Sequence, residues 1–379
     1  MIEFLRDQIR STYKSAIGKP RNGVTTPALL LDLDVAKKNI KFMTDRMRTL
    51  PAELKPHIKG QKCIELINLQ IEAGAIGVCT ATVWEAIVMS REDIEDVLIA
   101  NEVGGKDKIQ ALAEAAKLGR LSVAVDNIQN AEDLSNAARA AGSEIGVLID
   151  VDVGQGRGGV RSVEGAVELA QSISKLSNLR LLGVMGYEGH CMLEPDRDVR
   201  IAKAKKAMDY LGEVIDRLEK EGFACEVVSA GGTGTYDITG ADPRVTEIQA
   251  GSYVFMDNFH GNLVPGFSRS LTVLSTVIIK HGNTIVMDAG RKSVGIDFVL
   301  PSMKDFPDYQ TRAFHEEHAL FDVDDRCKLM RGDTVEFIPG YAPSTVNLYD
   351  AYHVVEDDVV VDIWPIVPRG PGHLGLLSV

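Results

Sequence analysis

Between about residues 53 and 255 the chain alternates short β-branched runs with longer stretches of helical period, and it does so eight times. No other feature restricts the fold as much. The candidate strands are ELKPHIK (53–59), GVCTA (77–81), DVLIANE (96–102), LSVAVDN (121–127), IGVLIDVDVG (145–154), LLGVMGYEG (181–189), CEVVSAGG (225–232) and EIQAGSYVF (247–255). Helix-like segments such as KIQALAEAAKLG, AEDLSNAARAAG and VEGAVELAQSISKL separate them, and several close on Gly, as helix C-termini often do. The class is therefore α/β, and eight β–α units predict a (β/α)8 TIM-type barrel ahead of an open doubly wound sheet. Beyond residue 268 the runs LTVLSTVIIK, NTIVMDAG, DTVEFI and DDVVVDIWPIV are strand-like, with almost no helical pattern between them. The early run ALLLDLD (28–34) is expected to join them. This gives a barrel over 36–267 and a second, mostly β domain assembled from 1–35 and 268–379.

Composition narrows the possible partners. With 41 Lys+Arg against 54 Asp+Glu the formal net charge is −13, which argues against broad binding to nucleic acid or to an anionic membrane. No apolar run reaches the ~18 residues of a membrane-spanning helix, and the N-terminal stretch lacks the apolar core of a signal peptide. The five cysteines (Cys63, Cys79, Cys191, Cys225, Cys327) are scattered and form no CxxC. Neither a disulfide framework nor a thiolate zinc site is expected, and a reducing cytoplasm is the expected location.

Active sites of such barrels lie at the C-terminal ends of the strands, so strand-end residues carry the functional reading. In KPHIKGQK, alternation puts Lys55, His57 and Lys59 on one face, with Lys59 nearest the mouth. Two readings of Lys59 stand: a Schiff-base lysine, or a solvated charge at the rim. SAGGTGTYD (229–237) ends the seventh strand with successive glycines, whose N–H groups can converge on an anion, and with the hydroxyls of Thr233 and Thr235. QAGSYVF places Gly251, Ser252 and Tyr253 late on the eighth. Paired Gly-and-hydroxyl ends on strands seven and eight fit the phosphate site common in barrels, although each alone also reads as a flexible turn. DVGQGRGGV (152–160) offers Arg157 for a cofactor oxygen or substrate carboxylate, or simply as an exposed loop cation. GYEGH (186–190) offers Tyr187, Glu188 and His190, able to hydrogen-bond a ring or move a proton, or to be ordinary loop residues. HEEH (315–318) is one residue short of HExxH and is expected to be a solvated charged loop.

TPALLLDLD, PHIKGQKC, GVCTATVWEA, DVGQGRGGV, GYEGH, GGTGTY and QAGSYVFMD, taken in order, resemble the D-threonine aldolase and D-serine dehydratase group of the alanine-racemase-like (fold type III) pyridoxal-phosphate enzymes. MDAGRKSVGIDF, IPGYAPSTVNLYD and DIWPIVPRG resemble that group's C-terminal β domain. The resemblance implies pyridoxal 5'-phosphate as cofactor, a small amino acid as substrate, and a homodimer whose active sites lie at the barrel mouth and are closed by the β domain. It identifies Lys59 as the residue that binds the cofactor covalently. It places Thr233, Gly234, Thr235, Gly251, Ser252 and Tyr253 in the phosphate-holding stretches, and Arg157 and Tyr187 where they touch the cofactor ring or substrate.

One stretch departs from the pattern. Where the group generally reads PGHxDPTVN, with His and Asp or Cys as metal ligands, this chain reads PGYAPSTVN. Tyr341 and Pro343 take the ligand positions, and proline has no donor side chain, so no metal ligands are assigned. Gly60 and Gln61 likewise replace the Thr-His of the usual PHxKTHK. The expected function is a lyase acting on D-3-hydroxy-α-amino acids, by retro-aldol cleavage or by elimination, with Tyr341 or His190 moving the proton. The alternative is an amino-acid racemase or epimerase using Lys59 and Tyr341 on opposite faces, and a third reading is a non-catalytic pyridoxal-phosphate-binding protein.

Overall fold

The computed structural model describes residues 2–372, so the end of the expected second domain, 373–379, lies outside the described residues. The chain divides into two compact units. One holds Met43–Lys59 and Gln70–Gly251, together with Pro371 and Gly372. The other holds the chain up to Phe42, Gly60–Leu69 and Ser252–Gly370. In chain order the strands begin with β1 (Ala28–Asp32). The eight of the first unit follow: β2 (Glu53–Leu54), β3 (Val78–Thr80), β4 (Asp96–Ile99), β5 (Arg120–Val125), β6 (Ile145–Asp150), β7 (Leu179–Gly186), β8 (Val227–Ala230) and β9 (Glu247–Ile248). The rest are β10 (Leu271–His281), β11 (Thr284–Met287), β12 (Ser302–Met303), β13 (Gln310–Phe314), β14 (Ala319–Asp322), β15 (Thr334–Ile338), β16 (Ala351–Glu356) and β17 (Val359–Pro365).

In the first unit all eight strands run parallel in the order β2-β9-β8-β7-β6-β5-β4-β3. The seam between β2 and β3 is closed by a parallel bridge, His57 to Cys79. There the Cys79 N–H donates to the Pro56 carbonyl and the Ile76 N–H to the Leu54 carbonyl, both at 2.9 Å. Cys79, Leu98, Ala124, Leu148 and Met185, one from each of β3 to β7, form a buried layer inside the ring. The connecting helices start at sequence-local caps. Thr82 and Glu85 form a capping box, the Asn127 side chain accepts the Asn130 N–H, and Ser162 accepts the Gly165 N–H. These caps set where each helix begins, and so how each strand end is presented.

Two expected strands are much shorter than their sequence suggested. ELKPHIK is extended only at Glu53–Leu54, and Lys59 lies in a 3-10 turn, Ile58–Gly60. Pro56 has no N–H to give to a ladder, so regular pairing stops there. The alternation that grouped Lys55 with Lys59 is thereby broken. Lys55 instead meets Asp96 (Nζ to Oδ1, 2.7 Å) and Glu247 (Nζ to Oε2, 3.2 Å), the first residues of β4 and β9, at the barrel's N-terminal end. EIQAGSYVF is likewise a strand only at Glu247–Ile248, after which Ser252–Val254 forms another 3-10 turn.

In the second unit β1 lies between β10, antiparallel, and β16, parallel. Its Ala28–Leu31 run is buried throughout, as an interior strand with two covered faces requires. β16 and β17 form the expected hairpin, turned by Asp357 and Asp358 with φ of 46° and 63°. HEEH forms the turn between β13 and β14, where the His315 N–H donates to the His318 carbonyl and Glu316 and Glu317 pair with Arg291 and Lys292. No helix among the described residues is long and apolar enough to cross a membrane.

The Lys55 cluster yields a stability test. Lys55 and Glu247 are 4% and 3% exposed, so removing the cation strands a carboxylate out of water. Lys55→Met is expected to lower the unfolding free energy by about 3–5 kcal/mol in denaturant titrations, and Lys55→Met with Glu247→Leu to recover most of the loss.

Candidate active site

Lys59 leaves the barrel wall immediately after the His57–Cys79 bridge. Its Nζ lies 5.9 Å from the centroid of the Tyr187 ring, and the Arg157 guanidinium carbon lies 5.9 Å from the same centroid. Two cations sharing one ring repel each other. Burial first, and Arg157 next, hold the Lys59 amine below the ordinary lysine range, against the opposing pull of Glu85 and Cys79. Glu85 is itself buried, its Oε2 accepting the Ala81 N–H at 2.6 Å and the Thr82 N–H at 3.3 Å. A lowered pKa leaves more of the amine uncharged at neutral pH, as a nucleophile requires.

Tyr187 and Glu188 follow β7 directly. Arg157 stands on the loop after β6, which is pinned along its length. Asp152 Oδ1 accepts the N–H groups of Gly154 (3.2 Å) and Gly156 (2.8 Å), and Asp126 Oδ2 accepts that of Gly159 (3.2 Å). A Val151–Val160 bridge closes its base. Beneath it Asp150 is pushed up to about 8, by burial first and then by its hydrogen bond to Glu102. Sequence reasoning missed this carboxyl pair, because it joins the ends of β4 and β6, which are distant in the chain. His190 sits in the 3-10 turn Gly189–Leu193. Its Nε2 is 3.5 Å from Cys191 Sγ, and its Nδ1 is buried with no hydrogen-bond partner among the described residues. Burial foremost, then Glu188, pushes the Cys191 thiol up to about 11, so it is not a thiolate nucleophile at neutral pH.

After β8 the chain turns through Gly231–Thr235, with Thr233 and Thr235 buried. A Cβ on Gly234 would lie 2.4 Å from Met192 Sδ, and the Gly234 N–H donates to that sulfur at 3.1 Å. Gly251 allows an equally close approach: a Cβ there would lie 2.1 Å from the His57 carbonyl oxygen, so only glycine lets the chain after β9 cross the segment that leads into the Lys59 turn. The first unit thus brings together Lys59, Arg157, Tyr187, His190, Thr233, Gly234, Thr235 and Gly251, all on segments that follow strand C-termini.

Ser252, Tyr253 and Tyr341 belong to the second unit. Tyr253 is fully buried, with its ring 5.8 Å from that of Phe267. Tyr341 precedes the short helix Ala342–Val346; its ring stacks on His260 at 5.8 Å and meets Phe298 edge-on at 5.0 Å. His260 Nδ1 is 2.8 Å from Asp257 Oδ1, and Asp257 Oδ2 accepts the Ala342 N–H at 2.7 Å. Burial, followed by Asp257 and Asp297, pushes the Tyr341 phenol up to about 12. Pro343 packs on Gly60, where a Cβ would lie 3.3 Å from Pro343 Cγ. The two departures from the expected motifs are therefore neighbours. Among the described residues, no three His, Cys, Asp or Glu side chains converge as a metal site would need.

A closed parallel barrel with a deprotonation-prone lysine at its mouth, joined to a β-rich unit, defines an alanine-racemase-like protein. The chain belongs to the alanine racemase N-terminal domain family, which it matches over residues 31–259, and residues 270–355 match the putative serine dehydratase domain. It is 35% identical to a D-threonine aldolase of an Arthrobacter species over 359 residues, covering 93% of this chain and 95% of that one. It is 34% identical to a 3-hydroxy-D-aspartate aldolase of Paracoccus denitrificans over 370 residues, with 94% and 95% covered. The solved D-threonine aldolase of Filomicrobium marinum superposes with a TM-score of 0.91 at 34% identity, covering 93% of this chain and 98% of the other.

The amine's environment can be checked directly. Chemical labelling of Lys59 in cofactor-free protein is expected to titrate with a midpoint below the ~10.4 of a free lysine. Arg157→Gln removes a repelling charge and is expected to move that midpoint upward; a downward move or none would contradict the assignment.

Proposed function

We propose that the protein is a pyridoxal 5'-phosphate-dependent lyase that cleaves D-3-hydroxy-α-amino acids to glycine and an aldehyde. The observation that carries this reading is the Lys59 amine, its pKa depressed by burial and by Arg157, on the same barrel mouth as a glycine turn that a Cβ would fill. Likeness over nearly the whole chain to two aldolases favours retro-aldol cleavage over elimination.

These residues fit the cofactor. An amine of lowered pKa suits its aldehyde, the Tyr187 ring and Arg157 suit an aromatic ring with acidic oxygens, and the Gly234 N–H, facing only a weak sulfur acceptor, is available to a phosphate oxygen. Thr233, Gly251, Ser252 and Tyr253 complete the phosphate contacts in this proposal, while Thr235, whose hydroxyl donates to Glu188, holds the turn that carries them. When bound, the cofactor supplies an electron sink that stabilises negative charge at the substrate Cα. The chain's own residues supply the proton movements. His190 takes the proton of the β-hydroxyl as the Cα–Cβ bond breaks and the aldehyde carbonyl forms. The electron pair left on Cα is then protonated, giving glycine. Tyr341 is a phenol at neutral pH and so acts as the donor in that last step. The same protonated state weighs against a racemase, in which Tyr341 would have to serve as a base. With Tyr341 and Pro343 at the positions of the family's metal ligands, proton transfer replaces metal polarisation of the hydroxyl. A homodimer with a small amino acid as its substrate belongs to this proposal.

A panel of D- and L-3-hydroxy amino acids, assayed with added cofactor and with or without chelator, tests the reaction. Glycine and aldehyde are expected from D-substrates only, at rates that chelator alters by no more than about twofold. Release of ammonia and a 2-keto acid would make the enzyme a dehydratase, and turnover of nothing would end the lyase reading. Lys59→Ala is expected to abolish both activity and the visible absorbance of lysine-bound cofactor. A variant that keeps the band would move the role to another amine.

A further inference from the structure

Glu188 carries a role that the reaction above does not use. It is 0% exposed, and a buried carboxylate costs several kcal/mol unless its oxygens are fully hydrogen-bonded. Its oxygens take three donors from a single stretch of chain. The Gly231 N–H donates to Oε2 at 3.0 Å, the Thr235 hydroxyl to Oε1 at 2.7 Å, and the Thr239 hydroxyl also to Oε1. Because a carboxylate only accepts, the Thr235 hydroxyl must spend its proton on Glu188. Its lone pairs then face the Gly232 N–H, which donates to it at 3.2 Å. With those donors turned inward, the Gly234 N–H is left facing Met192 Sδ, which the same segment, Glu188–Met192, delivers. An anion buried beside an anion cradle is electrostatically unfavourable. Its compensation is geometric: one side chain sets the hydrogen-bond direction of the whole turn.

We propose that Glu188 is a positioning residue for phosphate recognition, fixing the Gly231–Thr239 segment so that the turn selects a phosphorylated ligand. The proposal rests on the cofactor reading above and deepens it. Glu188→Gln keeps size and shape but replaces an acceptor with an N–H donor, which either opposes the Gly231 N–H or forces the Thr235 and Thr239 hydroxyls to turn from donating to accepting, reversing the hydrogen-bond direction of the turn.

The test titrates full-length protein, freed of cofactor, with pyridoxal 5'-phosphate and separately with pyridoxal, following the absorbance of the lysine-bound form. Glu188→Gln is expected to weaken capture of the phosphorylated compound by about tenfold or more, the size of one lost charge-assisted hydrogen bond, and to leave pyridoxal capture within about twofold. Thr239→Val, which removes one donor and no charge, is expected to shift the same ratio in the same direction by a smaller factor. Equal losses for both compounds, or unchanged preference in both variants, would overturn the role of Glu188 while leaving the cofactor reading intact. If the unsubstituted protein captures neither compound, the cofactor reading fails and this inference with it.

Discussion

An amine's charged form is disfavoured by burial and by a neighbouring cation, and at the barrel mouth Lys59 meets both. Burial and the Arg157 guanidinium, sharing the Tyr187 ring with Lys59, act in one direction, while Glu85 and Cys79 act in the other. The balance lowers the amine's pKa while the Arg157 guanidinium keeps a positive charge beside it. The Arg157 guanidinium is a local positive charge that an anionic cofactor or an amino acid carboxylate would meet. The overall −13 of the chain therefore says little about the site, because a local field is set by the few charges that water does not screen.

The acids at the strand ends of the first unit hold backbone in place. Glu85 caps a helix start, Asp126 and Asp152 pin the Arg157 loop, and Glu188 gathers the donors of the glycine turn. Each lies just beyond a strand end and accepts N–H groups that no ladder can satisfy. A barrel needs such devices at its mouth, since regular hydrogen bonding stops there while the functional residues must still be held rigidly. Asp150 differs: held up to about 8 beside Glu102, it retains a proton near neutrality and limits the negative charge stacked beneath Arg157.

The second unit shows how a lost pair of metal-ligand positions is absorbed. Pro343 packs on Gly60, and Tyr341 joins an aromatic cluster with His260 and Phe298 whose polar anchor is Asp257. Burial keeps the Tyr341 phenol protonated at neutral pH.

Much of this was legible in the sequence because it depends on local pattern. Eight alternations of strand and helix, the hairpin of β16 and β17, and the membership of ALLLD in the second sheet all follow from periodicity and short motifs. The errors share one origin. Alternation treated ELKPHIK and EIQAGSYVF as full strands, yet Pro56 ends one and the crossing at Gly251 ends the other, so Lys55 and Lys59 part company. Glu188 was visible in GYEGH, but its task was not, since its three donors lie more than forty positions further along the chain. Sequence by itself determined which elements form, in what order, and which residue types stand at their ends, because propensity and patterning act over a few residues. Tertiary structure alone decided which buried charges meet and which way each hydrogen bond points, because pKa shifts and donor direction depend on neighbours brought close only when the barrel closes.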